Sequence, residues 1–386
     1  MRPEPFSVAI DAELLADMRR RLRATRWAED FGNDDWAYGV EGSWLKEMVD
    51  YWAGAYDWRA QEAAINHFPQ FRVTIDGIPI HYLHVRGKGP NPLPIILTHG
   101  WPWTFWDYKD VIEPLTDPAR FGGDPNQSFD VIVPSLPGYG FSSPLRTTGV
   151  NVRAIAALWA RLMRDVLGYP RFAAAGGDWG AVVTAEMGHS QPDGLAGIYL
   201  TMPHGLGVVR LDIREEDFAP DEAWMAARMM EGRPLVASHV TVQLSDPQTL
   251  AYAMSDSPVG TAAWLWERRR AWSDCGGDVL RVFDRDALCT LASIYWLTNS
   301  IGTSFRLYAE QFRRPWTPVH DRSRLIDVPT GVAILPREVA LIPRAMLETR
   351  YNMQRYTLFP RGGHFAAAEV PDLVVDELRA FFASYR

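Results

Sequence analysis

Asp178 stands within Gly176-Gly177-Asp178-Trp179-Gly180, between the apolar run Phe172-Ala173-Ala174-Ala175 and a helix-like segment carrying Ala181, Val182, Val183, Ala185 and Met187. Small residues around one reactive side chain, at a strand-to-helix join, suit a nucleophile elbow, a strained turn that lifts the side chain clear of the backbone. The side chain here is a carboxylate. It can displace at a saturated carbon and form an alkyl ester, and it is poorly suited to cleaving peptides or esters. Taken alone, the segment also fits an ordinary Gly-Gly-Asp turn, so the weight falls on what else the chain supplies.

Release of such an ester needs a general base and a group that orients it. Gly362-Gly363-His364-Phe365 lies after the last strand-like run, and Arg337-Glu338 directly follows the run Val332 to Leu335. The order is therefore nucleophile Asp178, acid Glu338, base His364. Asp327 is a rival acid, but it precedes its strand and would lie at the wrong end of a sheet. Glu369 is too close to His364 in sequence to be the expected orienting group. An oxyanion hole requires backbone N–H groups aimed at the ester oxygen. Trp179 offers one, and Trp101 in His99-Gly100-Trp101-Pro102 offers another. Pro102 removes a competing donor and allows a sharp turn, cis or trans.

The elements that must position these residues can be read from hydrophobic period. Asp11 caps a helix with Leu14, Leu15, Met18 and Leu22 on one face, and a second helix runs near Ser43 to Tyr56 with Ser43 in its cap region. No strand is expected before Phe71. Two alternating runs then flank Asp76-Gly77, a hairpin signal, and Pro79 would place its strand at a sheet edge. Buried-strand runs at 95–98, 130–133, 172–175, 197–200, 328–335 and 355–359 alternate with helical segments, including Val152 to Leu167 and Pro371 to Tyr385. Such alternation implies a mostly parallel sheet with helices on both faces. It is interrupted from 204 to 317 by helix-like sequence, which suggests an inserted cap. The expected organisation is an N-terminal helical meander (1–70), a first core part (71–203), the cap (204–317) and a second core part (318–386).

Composition narrows the classes. The chain has 386 residues and a net charge of −8, and its clusters Arg19-Arg20-Arg21 and Arg268-Arg269-Arg270 fit solvated helix faces better than a nucleic-acid surface. Cys275 and Cys289 form neither a CxxC nor a His-associated set, so no disulfide framework or metal site is suggested, and a reduced cytoplasm suits them. The N-terminus lacks an apolar stretch, and no later run reaches the ~18 apolar residues of a membrane span. Sixteen tryptophans fit packing between layers, or an aromatic pocket for an apolar substrate.

The segments His99-Gly100-Trp101-Pro102, Gly138-Tyr139-Gly140-Phe141-Ser142, Gly176-Gly177-Asp178-Trp179-Gly180 and Arg361-Gly362-Gly363-His364-Phe365 resemble those of the α/β-hydrolase epoxide hydrolases. Trp58-Arg59 through Ile65-Asn66-His67-Phe68-Pro69-Gln70-Phe71, and Ser255-Asp256-Ser257-Pro258-Val259-Gly260 in the cap, resemble the microsomal-type subgroup. The chain is similar to a soluble, bacterial-type relative without the membrane helix of the mammalian members. The resemblance implies an α/β-hydrolase fold and conversion of an epoxide to a vicinal diol through an ester on Asp178, with no cofactor. Its usual pair of cap tyrosines implies Tyr308 as the second donor. The first position aligns with His239, a departure that bears on oxygen activation. Family habit also implies a homodimer, while the tryptophans suggest an apolar or aromatic epoxide, and charge and hydropathy point to no nucleic-acid or membrane partner. A haloalkane-type dehalogenase would share Asp178 and His364 but needs no acidic donor such as Tyr308; a silent, ligand-binding member of the fold would not need every chemical position filled.

Overall fold

The structure is a computed structural model, and it describes residues 2–203, 206 and 213–386. The expected start of the cap at 204 lies outside the described residues.

Nine strands form one sheet in the order β1-β2-β3-β5-β4-β6-β7-β8-β9. β1 (Glu4–Phe6), β2 (Gln70–Ile75) and β3 (Ile78–Val85) are antiparallel, and β3 pairs antiparallel with β5 (Phe129–Pro134). From there β4 (Leu93–Thr98), β6 (Phe172–Gly176), β7 (Leu195–Leu200), β8 (Ile326–Ile334) and β9 (Tyr351–Leu358) extend the sheet in parallel. β4, β5 and β6 are buried along their whole length, as near-continuous apolar runs in a sheet covered on both faces require.

Two local expectations fail for the same reason: the deciding partner is distant in sequence. β1 is a strand before Phe71. Three residues containing Pro5 show no periodicity, and the strand exists because it lies against Gln70 to Arg72. Pro79 is not at an edge, since β3 lies between β2 and β5. His81 has the same parity and turns its backbone groups away from β2, donating to Ser142 Oγ and accepting from Ser135 N–H, both at 2.9 Å. Pairing with β5 begins only at Tyr82, so the ring of Pro79 faces no strand and no ladder bond is lost. The Asp76-Gly77 hairpin forms as expected, with φ of 52° and 78°, the paired positive values of a tight I′ turn.

The N-terminal helices are α1 (Ala12–Arg23), α2 (Gly42–Gly54) and α3 (Trp58–Asn66). Asp11 caps α1 as expected, whereas α2 is capped by Glu41 rather than Ser43, because its longer carboxylate reaches both Ser43 N–H and Trp44 N–H at 2.7 Å. Around the sheet lie α4 (Lys109–Thr116), α5 (Val152–Arg161), α6 (Trp179–Ser190) and, later in the chain, α12 (Arg344–Glu348), α13 (Ala366–Glu369) and α14 (Pro371–Phe382). Between β7 and β8 the described chain is helical: α7 (Ala223–Ser245), α8 (Pro247–Asp256), α9 (Pro258–Trp272), α10 (Arg285–Leu297) and α11 (Ile301–Arg313).

The N-terminal layer grips this insert. Trp52 Nε1 donates to Ser293 Oγ at 3.0 Å, Tyr51 donates to Asp286 at 2.7 Å, and Tyr56 shares a 3.0 Å bond with Thr290. Trp44 and Trp52 both pack on Trp266. Arg268 and Arg269 correct the expectation of a solvated face: both are buried. Arg268 stacks 3.8 Å from the Trp264 ring centroid, and Arg269 pairs with Asp107 at 2.7 Å and donates to the Pro102 carbonyl at 2.9 Å. An apolar-flanked arginine run reads as surface until its carboxylate partner is known.

Candidate active site

β6 is flat and fully buried, and at its end the chain must reverse into α6. The residue at the turn is Asp178, at φ 51° and ψ −127°, a conformation that side chains rarely adopt outside constrained sites. Its neighbours are small because there is no room. A Cβ on Gly180 would fall 1.8 Å from the Thr98 carbonyl oxygen, and one on Gly100 would fall 2.2 Å from Asp178 Oδ1. β4 and β6 therefore deliver the His99–Trp101 loop and Asp178 to one spot. Trp101 N–H donates to Asp178 Oδ1 at 2.7 Å, and the Trp101–Pro102 peptide is cis. His99 serves the loop rather than the chemistry, with Nε2 accepting from Leu136 N–H at 3.0 Å and Nδ1 bonded to the Gly100 carbonyl at 2.9 Å. Burial pushes its pKa down to about 4, so it is a neutral strut.

The ends of β8 and β9 bring the other two groups. Glu338 Oε1 lies 2.9 Å from His364 Nδ1, and His364 Nε2 lies 3.5 Å from Asp178 Oδ2. The second distance is a charge contact, longer than a hydrogen bond, and Nε2 has no hydrogen-bond partner among the described residues. His364 and Glu338 are each 1 % exposed at the side chain, whereas Asp178 keeps 17 %. The Asp178 carboxylate is open to a ligand, and the His364 and Glu338 side chains are not. Asp327 lies at the start of β8, paired with Arg322 at 2.8 Å.

Electrostatics follow from this packing. Burial alone would lower the His364 pKa, but the charge of Glu338 and its hydrogen bond, with the nearby charge of Asp178, raise it above the ordinary value. Burial works against the Asp178 carboxylate, yet His364 and the N–H groups of Trp101 and Trp179 hold its pKa below the ordinary value. The pair thus rests as carboxylate and imidazolium.

Tyr308 and His239 come from α11 and α7, over the nucleophile. Tyr308 is buried and stands edge-on to Trp179 (4.8 Å between centroids) and Trp101 (6.2 Å). His239 stacks on Trp101 at 5.1 Å and meets the Tyr308 ring edge-on at 5.6 Å. Burial, helped by the charge of Arg268, pushes the His239 pKa down to about 3. The sequence allowed either charge state, but the ring is neutral through the working range. Its Nδ1 has no protein partner among the described residues.

Sequence reasoning passed over Trp103 and Trp272, which wall His364 edge-on at 5.7 and 5.1 Å, and Arg269, which joins the Pro102 carbonyl to the Phe365 ring at 4.0 Å. A cavity of about 380 Å³ opens elsewhere, beside Pro137, Arg146, Gln248 and Arg306; none of Asp178, Glu338 and His364 lines it. Among the described residues no group of three or more His, Cys, Asp or Glu could hold a metal ion, and no helix is long and apolar enough to cross a membrane.

A carboxylate on a strand-to-helix elbow, with acid and base on later loops at the carboxyl ends of a mostly parallel sheet, defines an α/β-hydrolase. The family model described as Epoxide hydrolase N terminus matches residues 3–108, and that of the alpha/beta hydrolase fold matches 94–230. A Stigmatella aurantiaca protein with an epoxide hydrolase name is 41% identical over 99% of this chain and 85% of its own. Epoxide hydrolase 1 of Oryctolagus cuniculus is 32% identical, over 98% and 88%. Among solved structures, Aspergillus niger epoxide hydrolase superposes with a TM-score of 0.84 at 27% identity, covering 100% of this chain and 97% of that one. The juvenile hormone epoxide hydrolase of Bombyx mori gives 0.88 at 26%, covering 100% and 95%. The chain belongs to the epoxide hydrolase family, and it is an enzyme of the α/β-hydrolase superfamily.

Proposed function

We propose that this epoxide hydrolase works in two steps through an ester on Asp178. The observation that carries the reading is the line of contacts from Trp101 N–H to Asp178 Oδ1, from Asp178 Oδ2 to His364 at 3.5 Å, and from His364 to Glu338. Oδ1 is engaged by a backbone donor, which leaves Oδ2 to attack an epoxide carbon. The carbon–oxygen bond of the ring breaks, and the departing oxygen accepts hydrogen bonds from Tyr308 and His239 and takes up the proton that the His364 imidazolium releases to solvent as the ester forms, which leaves His364 neutral. In the second step His364 removes a proton from a water that adds to the ester carbonyl carbon. The resulting oxyanion lies in the hole formed by the Trp101 and Trp179 N–H groups. Collapse releases the vicinal diol and restores the carboxylate.

Ester formation also prepares the base. It removes the charge of Asp178, one of the influences that raise the His364 pKa, so the imidazolium gives up its proton more readily and the ring is neutral when a base is needed. The aromatic walls formed by Trp101, Trp179, Trp272 and Tyr308 support an apolar or aromatic epoxide, and the helical insert serves as the cap over it. The buried, free Cys275 and Cys289 fit a reducing cytoplasm. A homodimer completes the reading and is checked by light scattering of the purified protein.

The decisive test is a single turnover in heavy-oxygen water with enzyme in excess. The label is expected in the Asp178 carboxylate, because the ester is cleaved at its own carbonyl carbon. Label confined to the diol would mean direct attack of water on the epoxide and would end the covalent proposal.

A further inference from the structure

The loop carrying His364 is held by its backbone. Four consecutive N–H groups, from 362 to 365, all end on Glu369 or on the chain at the end of α9. Gly362 N–H donates to Asp274 Oδ2 at 3.0 Å. Gly363 N–H donates to Glu369 Oε2 at 2.9 Å, and Phe365 N–H to Glu369 Oε1 at 2.8 Å. His364 N–H donates to the Trp272 carbonyl at 2.9 Å. Asp274 N–H closes the ring on Glu369 Oε2 at 2.8 Å.

The approach is tight. A Cβ on Gly363 would lie 2.6 Å from the Trp272 carbonyl oxygen and 2.8 Å from Asp274 N. Glycine is needed there because another backbone lies against it, not because of its own φ. Glu369 accepts from three N–H groups at once. Burial pushes its pKa above the ordinary value, against the pull of those N–H bonds and of the His364 charge, which favour the carboxylate.

The elements used in the two steps differ. Alkylation uses the β6 elbow, Trp101 N–H and the donors on α7 and α11. Hydrolysis needs Nε2 of His364 aimed at a water beside the ester carbonyl, and a misplacement of about 1 Å costs on the order of 10²-fold in such a step. We propose that Glu369, together with the cap residues Trp272 to Asp274, is the positioning residue of the second step: it sets where His364 stands, so ester hydrolysis depends on it and alkylation of Asp178 does not. This rests on the two-step reading above.

Rapid-quench kinetics with intact-mass detection, with styrene oxide as the probe, tests it on wild type, Glu369→Gln and His364→Gln. Glutamine keeps the size and one acceptor oxygen but turns an N–H₂ group toward N–H donors. Glu369→Gln is expected to alkylate within about threefold of wild type while hydrolysing the ester about 10- to 100-fold more slowly. The alkyl-enzyme then accumulates at steady state, and kcat and KM fall together. Asp274→Ala, which removes the bond to Gly362, should give the same pattern more weakly, and it decides the matter if Glu369→Gln is not recovered folded. Equal slowing of both steps, or no change in either, overturns the proposal. If His364→Gln itself traps no ester, the two-step reading has failed; if it traps ester and Glu369→Gln does not, only the role of Glu369 has failed.

Discussion

The two sides of the active site are built by different means. On the sheet side every group is fixed by backbone: Asp178 by a strained turn and the Trp101 N–H, and His364 by four consecutive N–H bonds. On the cap side Tyr308 and His239 are fixed by aromatic rings in edge and stacked contacts. Bonds to main-chain N–H groups set a position closely, and the substitutable partners on the His364 loop are Glu369 and Asp274. Ring packing tolerates exchange of one ring for another of similar volume. In the proposed mechanism, attack and hydrolysis rest on the first side and the donors to the epoxide oxygen on the second.

That contrast can be broken from the sheet side first. Gly180→Ala places a methyl group where the Thr98 carbonyl oxygen already is, so either the elbow or β4 must move. Turnover should fall by about 10³-fold or more, with a lower Tm, as read by diol formation and thermal unfolding. Near-normal turnover would show that the elbow is not rigid and would remove one half of the comparison. Tyr308→Phe keeps the ring packing and deletes only the donor. The alkylation rate should drop by on the order of 10²-fold, the scale of one lost oxyanion donor, with Tm unchanged; an unaltered rate would take Tyr308 out of the chemistry.

His239→Gln sharpens the cap side further. Its neutral ring donates without titrating, so we expect a loss of about tenfold in alkylation and no change in the acid limb of the pH profile between about pH 5 and 7. A shifted acid limb would mean that His239 carries a charge. The smallest effect is a displacement in pH rather than a loss. The His364 pKa is raised by Glu338, so hydrolysis of isolated alkyl-enzyme should speed up as pH rises through a value above the ordinary histidine value of about 6.5. Glu338→Gln removes that influence, and the limb should move to lower pH, by roughly one unit, in stopped-flow runs from about pH 5.5 to 10. A limb that stays put or moves upward would contradict the assignment of Glu338 as the partner of His364.

How much of this could be read beforehand depended on where each partner lay. Asp178, His364 and Glu338 could be read because each directly follows a strand-like run, and a parallel sheet gathers the ends of its strands. Trp101 could be read from the loop after 95–98 for the same reason. Glu369 was dismissed as an acid on sequence distance, and its structural partners include Asp274, 95 residues away. The pairing of Gly362 with Gly363 carried the missed signal: a second glycine with no positive φ marks a close backbone neighbour. Arg269 was read as solvated because its acceptor, the Pro102 carbonyl, lies 167 residues earlier. His239 lies beside Trp101 and Tyr308, but its protonation depends on burial, which no local pattern encodes.

The grip of the N-terminal layer on the helical insert has a consequence for synthesis. Tyr51, Trp52 and Tyr56 find their partners Asp286, Ser293 and Thr290 between 234 and 241 residues downstream. At about 5–20 residues per second on the ribosome, Tyr51, Trp52 and Tyr56 wait roughly 10–50 s before their hydrogen-bond partners exist. The first helices are made early and completed late, so nascent chains stalled or truncated before residue 286 should expose this tryptophan-rich surface to chaperones and to one another.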